Sequence, residues 1–96
     1  MEKREVSISK KATLSVYQTI DWYQKNRGYS FAKTYEENIN ETIIAIAKMP
    51  TIGRMEKKVG RRIYRSFPSH PLTRIYYWYN SREVHIVAII SARINI

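Results

Sequence analysis

The sequence predicts an α+β fold of two layers. An N-terminal strand and an antiparallel helix hairpin pack on an antiparallel β-sheet, in the order β-α-α-β-β-β. Three observations carry that prediction. Apolar residues recur three and four apart between Ala12 and Ile46, so the first half of the chain forms helices with one apolar stripe each. After Gly60 the period falls to two, and aromatic and β-branched residues dominate. Two striped helices need a surface to cover, and strands rich in Ile, Val and Tyr supply one. At 96 residues the chain is read as one domain, 1–96, with a single modest core.

Each element has its own signature. Val6 and Ile8 alternate with polar neighbours and form a short first strand. Ser9 is placed to cap a helix over about 10–26, whose apolar positions Ala12, Val16, Tyr17, Ile20 and Tyr23 share a face. Asn26-Arg27-Gly28 ends it, with Gly28 in a left-handed conformation. Ser30 is the candidate cap of a second helix, with Phe31, Tyr35, Ile39, Ile43 and Ile46 inward. Lys33, Glu36, Glu37, Asn40 and Glu41 fill its other face. Pro50 stops this helix, and Pro50-Thr51-Ile52-Gly53 is a turn. Strands follow over 62–67 and 72–80, separated by Pro68-Ser69-His70-Pro71. Asn80-Ser81 marks a tight turn, and the nearly continuous apolar run 83–93 belongs at the centre of the sheet.

Seventeen Lys and Arg against eight Asp and Glu give a net charge of +9, which favours an anionic partner: nucleic acid, a membrane surface or an acidic protein. The chain has no cysteine, which excludes disulfides and thiolate chemistry. A metal site would have to rest on His70, His85 and carboxylates, and no ligand spacing is present, so neither metal nor cofactor is expected. No apolar run reaches membrane-spanning length, and the N-terminus lacks the apolar core of a signal peptide. The expected compartment is the cytoplasm, without a membrane partner.

The cations cluster. Residues 53–67, GRMEKKVGRRIYRSF, hold six of them with one carboxylate. Alternation separates Leu72, Arg74, Tyr76 and Trp78 from Thr73, Ile75, Tyr77 and Tyr79. Burying Arg74 under helices would be costly, so the first set is expected to face away from them. The same logic puts Arg65 on the open face or its edge, although Ile63 and Phe67 pull the other way. Arg65, Arg74 and Arg93 then converge on one side of a curved sheet, with Lys57, Lys58, Arg61 and Arg62 on the loop above. Arginine forks bind phosphate, and Tyr76 and Trp78 on the same face can stack on bases. The alternative is that Tyr76 and Trp78 simply pack and Arg74 pairs with Glu83.

The order of elements, the Pro50-x-Ile52-Gly53-Arg54 turn and the spacing to IYRSF, RIYYWY and IVAIISAR resemble the RelE/ParE superfamily of bacterial toxins over almost the whole chain. The resemblance implies the toxin of a type II toxin–antitoxin module: a growth inhibitor that serves plasmid stabilisation and is bound by a cognate acidic antitoxin. RelE-like members cleave mRNA on the ribosome, whereas ParE-like members inhibit DNA gyrase. Toward the RelE-like pattern, the basic loop matches through Lys57, Lys58, Arg61 or Arg62, the third-strand arginine through Arg74 and the fourth-strand arginine through Arg93. Only Ile94-Asn95-Ile96 follows Arg93, where RelE-like toxins carry a Tyr or His. The turn and this ending are closer to ParE-like members.

RNA cleavage requires a base for the 2′-hydroxyl, stabilisation of the crowded phosphate and an acid for the leaving oxygen. Arg65, Arg74 and Arg93 suit the middle task. His85, His70, Glu56 or a lysine remain for proton transfer; His85 by parity shares a face with Val87 and Ile89 and is more often structural in such a strand. The expected function is therefore inhibition of gyrase. The alternative is a ribosome-dependent mRNA endoribonuclease, and a weaker alternative is an inactive antitoxin-binding relative.

Overall fold

The computed structural model describes residues 4–92. Its elements run β1 (Glu5–Ile8), α1 (Lys10–Arg27), α2 (Tyr29–Lys48), a 3₁₀ turn at Pro50–Ile52, β2 (Arg54–Val59), β3 (Arg62–Ser69), β4 (Thr73–Tyr79) and β5 (Glu83–Ser91). They make two helices on a five-stranded sheet of order β1-β5-β4-β3-β2. The α+β two-layer class is the predicted one. Two details differ. β1 runs parallel to β5, so the sheet is mixed. A further strand, β2, occupies the stretch read as a basic loop. All six of its residues are exposed, so it carries no apolar alternation to betray it.

The helix hairpin turns on one residue. Ser9 caps α1 as expected, its hydroxyl oxygen accepting the Ala12 amide at 3.0 Å while its proton goes to the Val87 carbonyl at 3.0 Å. Gly28, with φ +94°, ends α1 and is also the N-cap of α2. That leaves no place for Ser30 as a cap, because α2 has already begun at Tyr29. Tyr17, expected on the apolar stripe, is 64% exposed. It lies one residue off the row of Ala12, Val16, Thr19 and Tyr23. Thr19 is buried in its stead, donating its hydroxyl to the Ser15 carbonyl.

The core lies between the layers. Tyr23, Tyr35, Ile39 and Ile46 of the helices meet Ile75, Tyr77, Val84, Ile86 and Ile89 of β4 and β5. Burying each large side chain contributes about 1.5–3 kcal/mol before ordering costs. The 3₁₀ turn is fastened to this core. Tyr77 donates its hydroxyl to the Pro50 carbonyl at 2.5 Å and accepts the Gly53 amide at 3.0 Å. A bulge shifts the β4–β5 register between Tyr76 and Tyr77. His85, opposite Trp78, therefore faces away from the helices while Ile89, opposite Ile75, faces the core; simple parity had put the two together.

Candidate functional site

The sheet face away from the helices is the candidate site. Register assigns it residue by residue. Ser66 stands opposite both Tyr76 and Arg54, Tyr76 opposite Ala88, Lys57 opposite Tyr64, and Trp78 opposite His85. Arg74 sits between Pro68 and Ile90 on the same face, as alternation requires. Helix burial of Ile75 and Tyr77 on β4 leaves Arg74, Tyr76 and Trp78 half-buried on the outside.

Ser66 joins the charged groups there. Arg74 donates from Nε to the Ser66 hydroxyl at 3.0 Å and from Nη2 to its carbonyl at 3.4 Å. Ser66 in turn donates its proton to Glu56 Oε2, which also accepts from Arg54 Nε at 2.7 Å. Glu56 reaches this position because a bulge between Met55 and Lys57 leaves it unpaired in the ladder. The Ser66 hydrogen bond, then that of Arg54, holds the Glu56 carboxyl below its ordinary range. The result is an Arg–carboxylate–Ser–Arg chain on the open face. Composition made Glu56 only one of several acid or base candidates. Nothing in the local pattern marked Ser66, because the link depends on the bulge.

The arginines do not all converge. Arg65 stands opposite Tyr77, on the helix side of the sheet, and corrects the open-face expectation. Its guanidinium reaches the Gly53 carbonyl at 2.9 Å, with Nε buried and without a hydrogen-bond partner. A backbone acceptor at the 3₁₀ turn thus makes its placement tolerable. Arg93 lies outside the described residues. Lys57 and Lys58 are not on a loop but on β2, and alternation sends them to opposite faces. Arg61 follows Gly60 in the tight β2–β3 turn, and Arg62 opens β3.

The aromatics divide as well. Arg62 Cζ lies 3.9 Å from the Trp78 ring centroid, and the His85 ring stacks on Trp78 at 4.2 Å and 12°. The two come from strands on either side of β4 and cannot share one face of the indole at such distances, so both faces are covered. Trp78 is thus no platform for a base. The Tyr76 ring makes no stacking contact among the described residues. Arg74 makes no ion pair with Glu83, whose carboxylate lies 3.5 Å from His85 Nε2.

Proton-transfer candidates are scattered. His85 pairs with Trp78, four residues along β4 from Arg74, which is about 13 Å at ~3.3 Å per residue. His70 is exposed at the β3–β4 turn, where its carbonyl accepts from Asn38 Nδ2 at 3.1 Å. With Pro68, Leu72 and Arg74 it lines an open depression of about 470 Å³. Among the described residues no three His, Asp or Glu side chains are placed to hold a metal ion. No helix among them is long and apolar enough to cross a membrane.

Comparison with known proteins places the fold. A structure entitled "Chromosomal ParDE TA system from P. aeruginosa" superimposes with a TM-score of 0.75, at 15% identity over 95% of this chain and 98% of that one. A YoeB dimer from Staphylococcus aureus gives 0.59, at 19% identity over 96% of this chain and 100% of that one. At such identities these show the shared fold. No curated protein matches the sequence. The family described as ParE toxin of type II toxin–antitoxin system, parDE, matches residues 6–96. With nearly its whole length matched, and with this helix hairpin on this sheet, the chain belongs to the ParE toxin family of type II toxin–antitoxin systems.

Proposed function

We propose that the protein arrests growth by binding DNA gyrase without cleaving RNA, and that a cognate acidic antitoxin neutralises it by covering basic surface. The observation that carries this reading is the separation of Arg65 from Arg74 by the sheet itself. One phosphate cannot be held by both. Arg54 and the Tyr76 ring do lie beside Arg74, but Trp78 is covered on both faces and, with its partner His85, stands about 13 Å along β4 from Arg74, so the described residues bring no histidine to that cluster. A net charge of +9 suits an acidic antitoxin, and their encounter should be fast and slow with salt. The test is the order of events after induction. Gyrase inhibition predicts double-strand DNA damage signalling while bulk translation continues, and gyrase-dependent linear DNA in a purified assay.

The alternative, ribosome-dependent mRNA cleavage, is favoured by one observation: a carboxylate and a guanidinium share the Ser66 hydroxyl on the open face. Glu56 would accept the 2′-hydroxyl proton and Arg74 would hold the phosphate. Cuts within translated codons in the first minutes, lost with Arg74→Ala and Glu56→Gln, would establish this reading and remove the first.

A further inference from the structure

The β2–β3 hairpin outruns its neighbour. The β3–β4 ladder ends at Arg65 opposite Tyr77, although β4 continues to Tyr79 in register with β5. The β2–β3 ladder runs on through Lys57–Tyr64, Lys58–Ile63 and Val59–Arg62. Residues 57–64 therefore form a two-stranded ribbon whose backbone ladder joins the sheet only at its base, with the Arg62 side chain laid over Trp78 of β4. Gly60, at φ +61°, takes the first position of its two-residue turn, where a positive φ is needed. This stretch carries four cations and no carboxylate. All four are exposed, and none is in an ion pair among the described residues. Because Lys57 and Lys58 leave from opposite faces, the ribbon is positive on both sides.

We propose that this ribbon is a binding site for duplex DNA, entering the major groove with Lys57, Lys58, Arg61 and Arg62 on the phosphates. The major groove of B-DNA, about 12 Å wide, admits a two-stranded ribbon and offers phosphates on both walls. The major groove of A-form RNA is too deep and narrow for one. Single strands are held by successive free aromatic faces, whereas the rings at the ribbon are occupied, Trp78 by Arg62 and His85 and Tyr64 by Lys57 at 5.5 Å, and the unstacked Tyr76 lies outside the ribbon. An acidic extended peptide pairing with the β2 edge would meet that edge alone and leave part of the two-sided charge unused. Binding to bare duplex needs neither gyrase nor a ribosome, so it stands apart from the choice of target above.

The test is fluorescence anisotropy of the full chain with a labelled, mixed-sequence duplex of about 20 base pairs, between about 50 and 200 mM salt. The expected slope of log K on log salt is about −3.6, from about −0.9 for each of the phosphates neutralised. Lys58→Glu with Arg61→Glu should weaken binding at least about tenfold and flatten the slope by about two contacts. Lys10→Glu with Lys11→Glu makes the same charge change on α1 and should leave affinity within about twofold. Thermal melts confirm that each variant is folded; should the Glu pair fail to fold, Lys58→Gln with Arg61→Gln makes the same comparison. Equal weakening by the ribbon and helix variants would overturn the site in favour of diffuse charge. Tighter binding to single-stranded RNA than to duplex would overturn the ligand. So would binding to polyglutamate with none to duplex at low salt, which would give the ribbon to an acidic protein partner.

Discussion

Gly53 shows what one missing side chain permits. A Cβ there would press on the Tyr77 hydroxyl and come within 2.9 Å of the Ser66 carbonyl. Neither can retreat, since the hydroxyl is buried between Pro50 and Gly53 and the carbonyl belongs to a ladder. Gly53→Ala should therefore lower stability by about 1–3 kcal/mol, as overpacking does. Tyr77→Phe should cost about 1–3 kcal/mol by leaving a buried amide and carbonyl unpaired. Urea unfolding with an unchanged m-value checks both. Glu56 makes a pH prediction. Its folded pKa is lowered, so its stabilisation is present above the unfolded value near 4.3 and disappears as pH falls through the folded value. Glu56→Gln should flatten the acid limb of the stability profile, and an unchanged limb would mean that the Ser66 and Arg54 bonds do not persist in solution. At this scale the sequence was legible for Arg74 and misleading for Arg65. The cost of burying a guanidinium pushed both outward, but the carbonyl that accepts Arg65 comes from a turn twelve residues away, which alternation does not register.

Helices announce themselves by stripes, and the stripes place the ends of both within two residues, with Ser9 at the first cap. Strands announce themselves by what they bury. β4 and β5 bury one face and alternate visibly; β2 buries nothing, and its sequence reads as a loop. Its existence rests instead on the ladder to β3 and on the Gly60 turn. A Cβ at Gly60 meets nothing within 4 Å, so backbone conformation is the whole penalty. Gly60→Val should cost about 1–2 kcal/mol and speed hydrogen exchange in β2 and the start of β3 before the rest of the sheet. Uniformly faster exchange would show that the ribbon folds only with the domain. Bulges are the other feature hidden from pattern reading. One turns Glu56 toward Ser66, the other separates His85 from Ile89, and each amounts to a single extra residue in a ladder.

On the scale of the molecule, charge is unbalanced. The described residues contain two ion pairs of fixed charge, Lys25–Asp21 and Arg54–Glu56, against a net charge of +9. Repulsion among the remaining cations should oppose compaction, so the melting temperature should rise as NaCl goes from about 50 to 500 mM. A falling melting temperature would mean that local attractions outweigh the net field. The class of fold and the superfamily were legible because they depend on the succession of periods along the chain. Which arginines share a face was not, because that depends on strand register and on bulges, which periods do not carry.

The chain has two tryptophans, Trp22 and Trp78, and Trp78 holds a guanidinium on one face and an imidazole on the other. Indole emission responds to what lies against the ring. Any ligand that draws Arg62 away opens one face of Trp78 to water and should shift its emission to the red. In a Trp22→Phe background the protein would carry its own optical reporter of engagement at the hairpin, requiring no attached dye.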